Sequence, residues 1–283
     1  MQRDNNRYGK NNNFAYRKNK NSDAFVKPTA DGGDEELSSN AVCGRNAVLE
    51  LLKSGRAVDK LFVRKGDREG SITLIVAEAI ARKIPVVEVE KAKIDALAAG
   101  ENHQGVVAMA AAKEYVSIDE ILEIAKERGE KPLIVIADEI VDPHNLGAII
   151  RCAEGAGAHG VVIPKRRSTG LTAVVDKSSA GALEHIAVAK VANLASAIDD
   201  LKQKGVWIYG AEADGESYYN TKFDSATAIV VGSEGNGISR LIREKCDFMV
   251  SIPMYGKVNS FNVSCAAAVM LCEASRQLHG AKK

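Results

Sequence analysis

Three stretches in the second half of the chain gather polar side chains and glycines at spacings that could support chemistry. The first is Asp138-Glu-Ile-Val-Asp-Pro-His-Asn-Leu-Gly-Ala-Ile-Ile-Arg151. Asp142, Pro143 and Asn145 suit a turn running into a helix start, and Arg151 lies nearly two turns further on. That spacing is expected to bring Asn145 and Arg151 to roughly one side of the helix. By pattern alone Arg151 reads first as an arginine whose stem lies along a core helix while its head reaches solvent. His144, a lone turn histidine, reads as a capping or surface residue before it reads as a base.

The second stretch, Gly232-Ser-Glu-Gly-Asn-Gly237, follows the apolar run Ala228-Ile-Val-Val231. Its glycines let backbone bend sharply and approach a ligand. No Lys-Ser/Thr follows, so it is not a phosphate-binding P-loop. The carboxylate of Glu234 suits a ligand that carries positive charge or hydroxyl donors. A glycine-rich connection with Glu234 near a helix start is the alternative. The third stretch runs from Ser251 to Glu273. Pro253 stops a short strand, Phe248 to Ile252, and Asn259, Ser260 and Asn262 then stand at the mouth of an alanine-rich helix. Small residues there permit close packing of neighbouring backbone.

Two further stretches need separate judgement. Gly155-Ala-Gly-Ala-His-Gly160 matches G-x-G-x-x-G, but it follows a helix and precedes a strand, the reverse of a dinucleotide fingerprint. It reads as a helix end and a tight turn. Pro164-Lys-Arg-Arg-Ser-Thr-Gly170 is either a solvated basic loop or a contact for RNA phosphates.

These residues need elements to position them. From Pro132 onward strands are expected at 133–137, 160–163, 186–190, 206–210, 227–231 and 248–252. Helices are expected at 145–156, 172–180, 194–204, 238–245 and 262–278. Such alternation argues for a parallel sheet covered on both faces, with ligands beyond the carboxyl ends of its strands. Before it, residues 41–113 form a small α/β unit: a helix marked by Ala47, Val48, Leu51 and Leu52, a strand Lys60 to Arg64, and a helix capped by Ser71. Strands at Pro85 to Val89 and Gly105 to Ala111 complete it. A linker spans 114–130, with an amphipathic helix from Ile118 to Lys126, and the second domain occupies 131–283. Residues 1–40 are rich in Asn, Lys and Asp and are expected to be disordered, as a solubilising tail or an RNA-touching arm.

The 283-residue chain is 46% hydrophobic and 27% charged, the balance of a globular protein with room for two domains. Its formal charge of +1 gives no global reason to invoke nucleic acid. No apolar run approaches the ~18 residues of a membrane span, and the amino terminus lacks a secretory core. Five scattered cysteines with no Cys-x-x-Cys pair read as reduced residues of a cytoplasmic protein, with no metal site expected.

Taken together, Asn145-x5-Arg151, Ile229-Val-Val-Gly-Ser-Glu-Gly235, and Ile252-Pro-Met followed by Asn259-Ser-Phe-Asn-Val-Ser264 resemble the three motifs of the SpoU/TrmH family of SPOUT methyltransferases. The resemblance covers about 131–278. The earlier unit, with Gly44-Arg-Asn-Ala-Val-Leu49 and His103-Gln-Gly-Val-Val107, resembles the small substrate-binding domain of the ribosomal RNA branch. That layout is most similar to enzymes that methylate a guanosine 2′-hydroxyl in large-subunit ribosomal RNA. The resemblance implies a deep trefoil knot in the C-terminal domain, a homodimer whose partner completes each site, and S-adenosylmethionine as cofactor, resting on Gly232, Ile252 and Phe261. Phe261 departs from the family's usual Leu. It also implies catalytic positions at Arg151, Asn145, Glu234, Ser260 and Asn262. Arginine stays protonated, so Arg151 is assigned to stabilising the developing alkoxide and holding a neighbouring phosphate. A transfer RNA substrate, or a non-catalytic RNA-binding assembly factor, are the competing readings.

Overall fold

A computed structural model describes residues 41–67 and 70–280; the expected tail lies outside the described residues. The first unit contains β1 (Ala41–Cys43), α1 (Arg45–Ser54), β2 (Val58–Arg64), α2 (Ser71–Ala81), β3 (Val86–Val89), α3 (Lys91–Leu97) and β4 (Val106–Ala110). Its four strands lie in the order β1-β4-β2-β3, with only β2 and β3 parallel. Ala47, Val48, Leu51 and Leu52 make one buried stripe along α1, which ends at Gly55 in the left-handed conformation. β1 and α3 were not expected. β1 has three residues, too few to show alternation, and α3 buries only Ile94, so no apolar period marks it. Ser71 does not cap α2; it lies inside the helix, and Gly70 holds the N-cap position with φ 62° and no side-chain bond.

The linker helix α4 (Ile118–Glu127) opens on a capping box: Glu120 N donates to Ser117 Oγ at 3.2 Å, and Ser117 N donates to Glu120 Oε2 at 2.7 Å. Then follow β5 (Leu133–Ala137), α5 (Pro143–Gly155), β6 (Gly160–Pro164), α6 (Ala173–Ser178), β7 (Ala187–Val191), α7 (Leu194–Gln203), β8 (Trp207–Ser217), β9 (Thr227–Val231), α8 (Arg240–Arg243), β10 (Phe248–Ser251) and α9 (Val263–His279). The six strands form one parallel sheet in the order β10-β8-β9-β5-β6-β7. Every residue of β5 and β9 is buried, as a sheet covered on both faces requires. Leu146, Ile149, Met270 and Leu271 of α5 and α9 fill one face; Ile121, Ile198, Leu201 and Ile242 fill the other.

β8 runs well past the expected 210. Its second half pairs with β10 after a register shift between Met249 and Val250. The crossing needs Gly215, since a Cβ there would stand 2.4 Å from Met249 C. The G-x-G-x-x-G stretch is the end of α5 and a turn at Gly157, φ 76°, leading to β6.

The first unit is fastened to α6 and to the segment that follows it. Arg56 Nη1 donates to Glu184 Oε1 at 2.5 Å and lies 3.5 Å from Asp176 Oδ2, while Ser54 Oγ donates to Glu184 Oε2 at 3.0 Å. Lys177 pairs with Glu101, and His185 with Glu50. Among the described residues no helix is long and apolar enough to cross a membrane.

Candidate active site

Asn262 ends the polar loop and caps α9: its Oδ1 accepts from Ser264 N at 2.9 Å and from Ser264 Oγ at 2.6 Å. With the oxygen engaged in capping, the amide nitrogen faces the other way. Asn262 Nδ2 donates to Asn145 Oδ1 at 3.0 Å and to Glu234 Oε1 at 2.5 Å. Asn145 sits in the first turn of α5, placed by Asp142, whose carboxylate accepts from His144 N, and by Pro143 at the helix start. One side chain therefore joins the loops that follow β5, β9 and β10.

Beside this junction opens a cavity of about 420 Å³. Val231, Val250, Ile252, Phe261 and Val263 give it apolar walls, while Ser233, Glu234, Asn259 and Ser260 supply polar groups. Gly232 is held against the far end of its own loop. A Cβ there would stand 2.1 Å from Gly237 C, and Ser233 and Gly237 exchange two backbone bonds of 2.9 Å. The backbone itself forms that wall.

Two carboxylates fix the exit of this loop. Glu212 Oε1 accepts from Ile238 N at 2.6 Å, and Asp138 Oδ2 accepts from Ser239 N at 2.7 Å. Glu212 also lines the cavity, and Asp138 is buried. Neither carries a local signal in the sequence. Glu212 lies on the part of β8 beyond the expected strand end, and Asp138 was read only as loop.

Arg151 is elsewhere. Six residues along an α-helix amount to one and two-thirds turns, so Arg151 points about 120° away from Asn145. The expectation of one shared side was wrong for that reason. Arg151 is exposed and lines a separate cleft of about 490 Å³ with Asn46, Glu50, Glu154 and His185. Among the described residues its side chain makes no hydrogen bond or ion pair. His144 Nδ1 is 3.0 Å from Ser178 Oγ, tying α5 to α6. In the basic loop Arg167 pairs with Glu139 at 3.0 Å, while Lys165 and Arg166 are exposed.

Burial governs the shifted groups nearby. It raises the Cys152 thiol above its ordinary value. At the boundary between the units it pushes the Asp176 carboxyl up to about 6, against the opposing pull of Arg56.

A parallel sheet whose carboxyl-end loops build an apolar cavity rimmed by amides and carboxylates marks an α/β protein with a pocket suited to a small molecule. The SpoU rRNA methylase family model matches residues 132–272, and the model for RNA 2′-O ribose methyltransferase substrate binding matches residues 41–116. YacO of Bacillus subtilis (strain 168), assigned to the TrmH family of tRNA/rRNA methyltransferases, is 45% identical over 237 residues, 83% of this chain and 95% of its own. A Staphylococcus haemolyticus protein so assigned is 45% identical over 239 residues, 84% of this chain and 96% of its own. The chain belongs to the SpoU/TrmH family of RNA methyltransferases. Its fold is shared by the SpoU methyltransferase AviRb of Streptomyces viridochromogenes, crystallised with AdoMet (TM-score 0.74, 22% identity, 89% of this chain and 100% of that one). An AdoMet-bound rRNA methyltransferase of Sinorhizobium meliloti shares it too (TM-score 0.69, 21% identity, 89% and 97%).

Proposed function

We propose that this protein is an S-adenosylmethionine-dependent RNA ribose 2′-O-methyltransferase, acting in the cytoplasm as a homodimer on a guanosine of 23S ribosomal RNA. The observation that carries the reading is the junction of Asn145, Glu234 and Asn262 at the rim of the 420 Å³ cavity. The residues present fit the cofactor. Ile252, Val250 and Phe261 offer apolar walls to a planar base, and the backbone at Gly232 offers polar groups without side-chain bulk. Glu212 and Glu234 put carboxylates where a ligand of positive charge would lie. When bound, S-adenosylmethionine would supply a methyl group on a sulfonium and a neutral leaving group.

The chain's own residues align the reactants. Asn262, itself held by Asn145, sets the position of Glu234, while Ser260 stands on the cavity wall, and together they fix the line of approach of a ribose oxygen. The guanidinium of Arg151 stabilises the developing alkoxide and holds an adjacent phosphate. Arg151 lines a different cleft from the cavity of its own chain, which supports a dimer in which each subunit completes the other's site. The trefoil knot belongs to the same proposal, supported by Ala266 of α9 lying against the cavity that the loop after β9 builds. A titration of S-adenosylmethionine paired with methyl transfer to deproteinised ribosomal RNA tests the roles: Arg151→Ala should bind cofactor normally and transfer nothing. Near-normal turnover by that variant would remove Arg151 from the reaction.

A further inference from the structure

The cleft beside Arg151 has open hydrogen-bonding groups on both walls. Its volume, about 490 Å³, falls in the ~300–1,000 Å³ range usual for ligand sites. It lies between the two units, with Asn46 and Glu50 of α1 on one wall and Arg151 and Glu154 of α5 on the other. The turn Ser179–Ala182 closes one end. That turn reaches α1 only because residue 181 is glycine: its φ is 94°, and a Cβ there would stand 2.6 Å from Glu50 Cβ.

Most charges at this boundary are engaged. Glu50 takes Lys53 at 2.8 Å and His185 at 2.9 Å, Arg56 takes Glu184, and Lys177 takes Glu101. Asn46, Arg151 and Glu154 are exposed, and their side chains make no hydrogen bond or ion pair among the described residues. Arg151 and Glu154 stand at the i,i+3 spacing that often pairs on a helix, yet they do not pair. A cation, an amide and a carboxylate thus face one space. A nucleotide offers a matching set: an anionic sugar–phosphate and a base edge with donors and acceptors.

We infer that this cleft takes up one unpaired nucleotide of the RNA, with its sugar–phosphate on Arg151 and its base edge between Asn46 and Glu154. The inference rests on the role proposed for Arg151 and extends it to the N-terminal unit, whose α1 then reads the target nucleotide directly. Single-stranded RNA is commonly recognised through such edges. A carboxylate only accepts, whereas an amide both donates and accepts, so Glu154 favours a base whose edge presents N–H groups.

The test uses the full-length chain and four fluorescein-labelled, unstructured RNA 12-mers that differ only in one central base, read by anisotropy. Asn46→Ala should weaken binding of the preferred 12-mer by about fivefold. Glu154→Gln should erase the difference between bases. Neither residue lines the cofactor cavity, so affinity for S-adenosylmethionine should be unchanged. Unaltered RNA affinity and base preference in both variants would overturn the inference, as would tighter binding of every 12-mer by Glu154→Gln, which would make the carboxylate a mere repulsive neighbour. Because the readout is binding, it is separable from methyl transfer. The expected shifts in a protein that methylates no RNA would retain the cleft and remove the catalytic reading.

Discussion

Asn262 holds Asn145 at 3.0 Å through one amide nitrogen while the oxygen of the same side chain caps α9. This ties the start of α5 to the start of α9, and Glu234 is bound by the same nitrogen. Asn262→Asp separates the two duties. Aspartate caps a helix as well as asparagine does, so thermal stability should change little. The new carboxylate, however, faces Glu234 and repels it. Cofactor affinity and methyl transfer should both fall by tenfold or more, about 1.4 kcal/mol, as read by calorimetric titration and tritium transfer. Normal affinity in this variant would mean that the junction does not shape the cavity.

Gly232→Ala tests the backbone wall. Its Cβ would meet Gly237 C at 2.1 Å, and neither partner is a movable side chain. The loop must open, at about 1–3 kcal/mol of stability. S-adenosylmethionine binding should be lost while the parallel sheet persists by circular dichroism.

Glu212→Ala should act through the cofactor. Losing the acceptor at 2.6 Å leaves Ile238 N unpaired and frees the loop exit. The expected signature is a KM for S-adenosylmethionine raised about tenfold with kcat nearly unchanged. Glu212→Gln retains an oxygen acceptor but not the charge facing the ligand, so it should recover only the part of the affinity that the loop exit carries. Equal damage by both variants would point to the charge of Glu212 and not to its hold on the loop.

Asp176 gives a prediction in pH. Its folded pKa is raised by burial, from an ordinary 3.8 to about 6, and its buried Oδ1 has no hydrogen-bond partner among the described residues. Between those values the native chain holds a proton that the unfolded chain has released. Its contribution to stability is therefore most favourable below 3.8 and is lost as pH rises through about 6. Asp176→Asn should raise unfolding stability at pH 7.5 by up to about 3 kcal/mol, with little gain at pH 4. Denaturant titrations at the two pH values measure this; equal gains at both would contradict the assigned cause.

Much of the second unit was legible because its strands are apolar runs bounded by glycine and proline: Leu133–Ala137 and Thr227–Val231 were located to the residue. The long β8 was not, since Glu212, Asp214 and Glu216 carry no strand signal and their pairing is set by β10. The meeting of Asn145, Glu234 and Asn262 could be anticipated because each follows a strand of one parallel sheet. The direction of Arg151 could not be read from its distance to Asn145 without counting the helical angle. Glu212 and Asp138 act by accepting backbone amides from a distant loop, a relationship without local sequence signature.

The most direct measurement is mass spectrometry of nucleosides from ribosomal RNA incubated with this protein and S-adenosylmethionine carrying a deuterated methyl group. The expected result is the label on a single nucleoside, on its ribose oxygen, and its absence with Arg151→Ala. Label on a base, or no label in any RNA from a protein that binds the cofactor, would contradict a site built to hold a methyl donor against a 2′-hydroxyl.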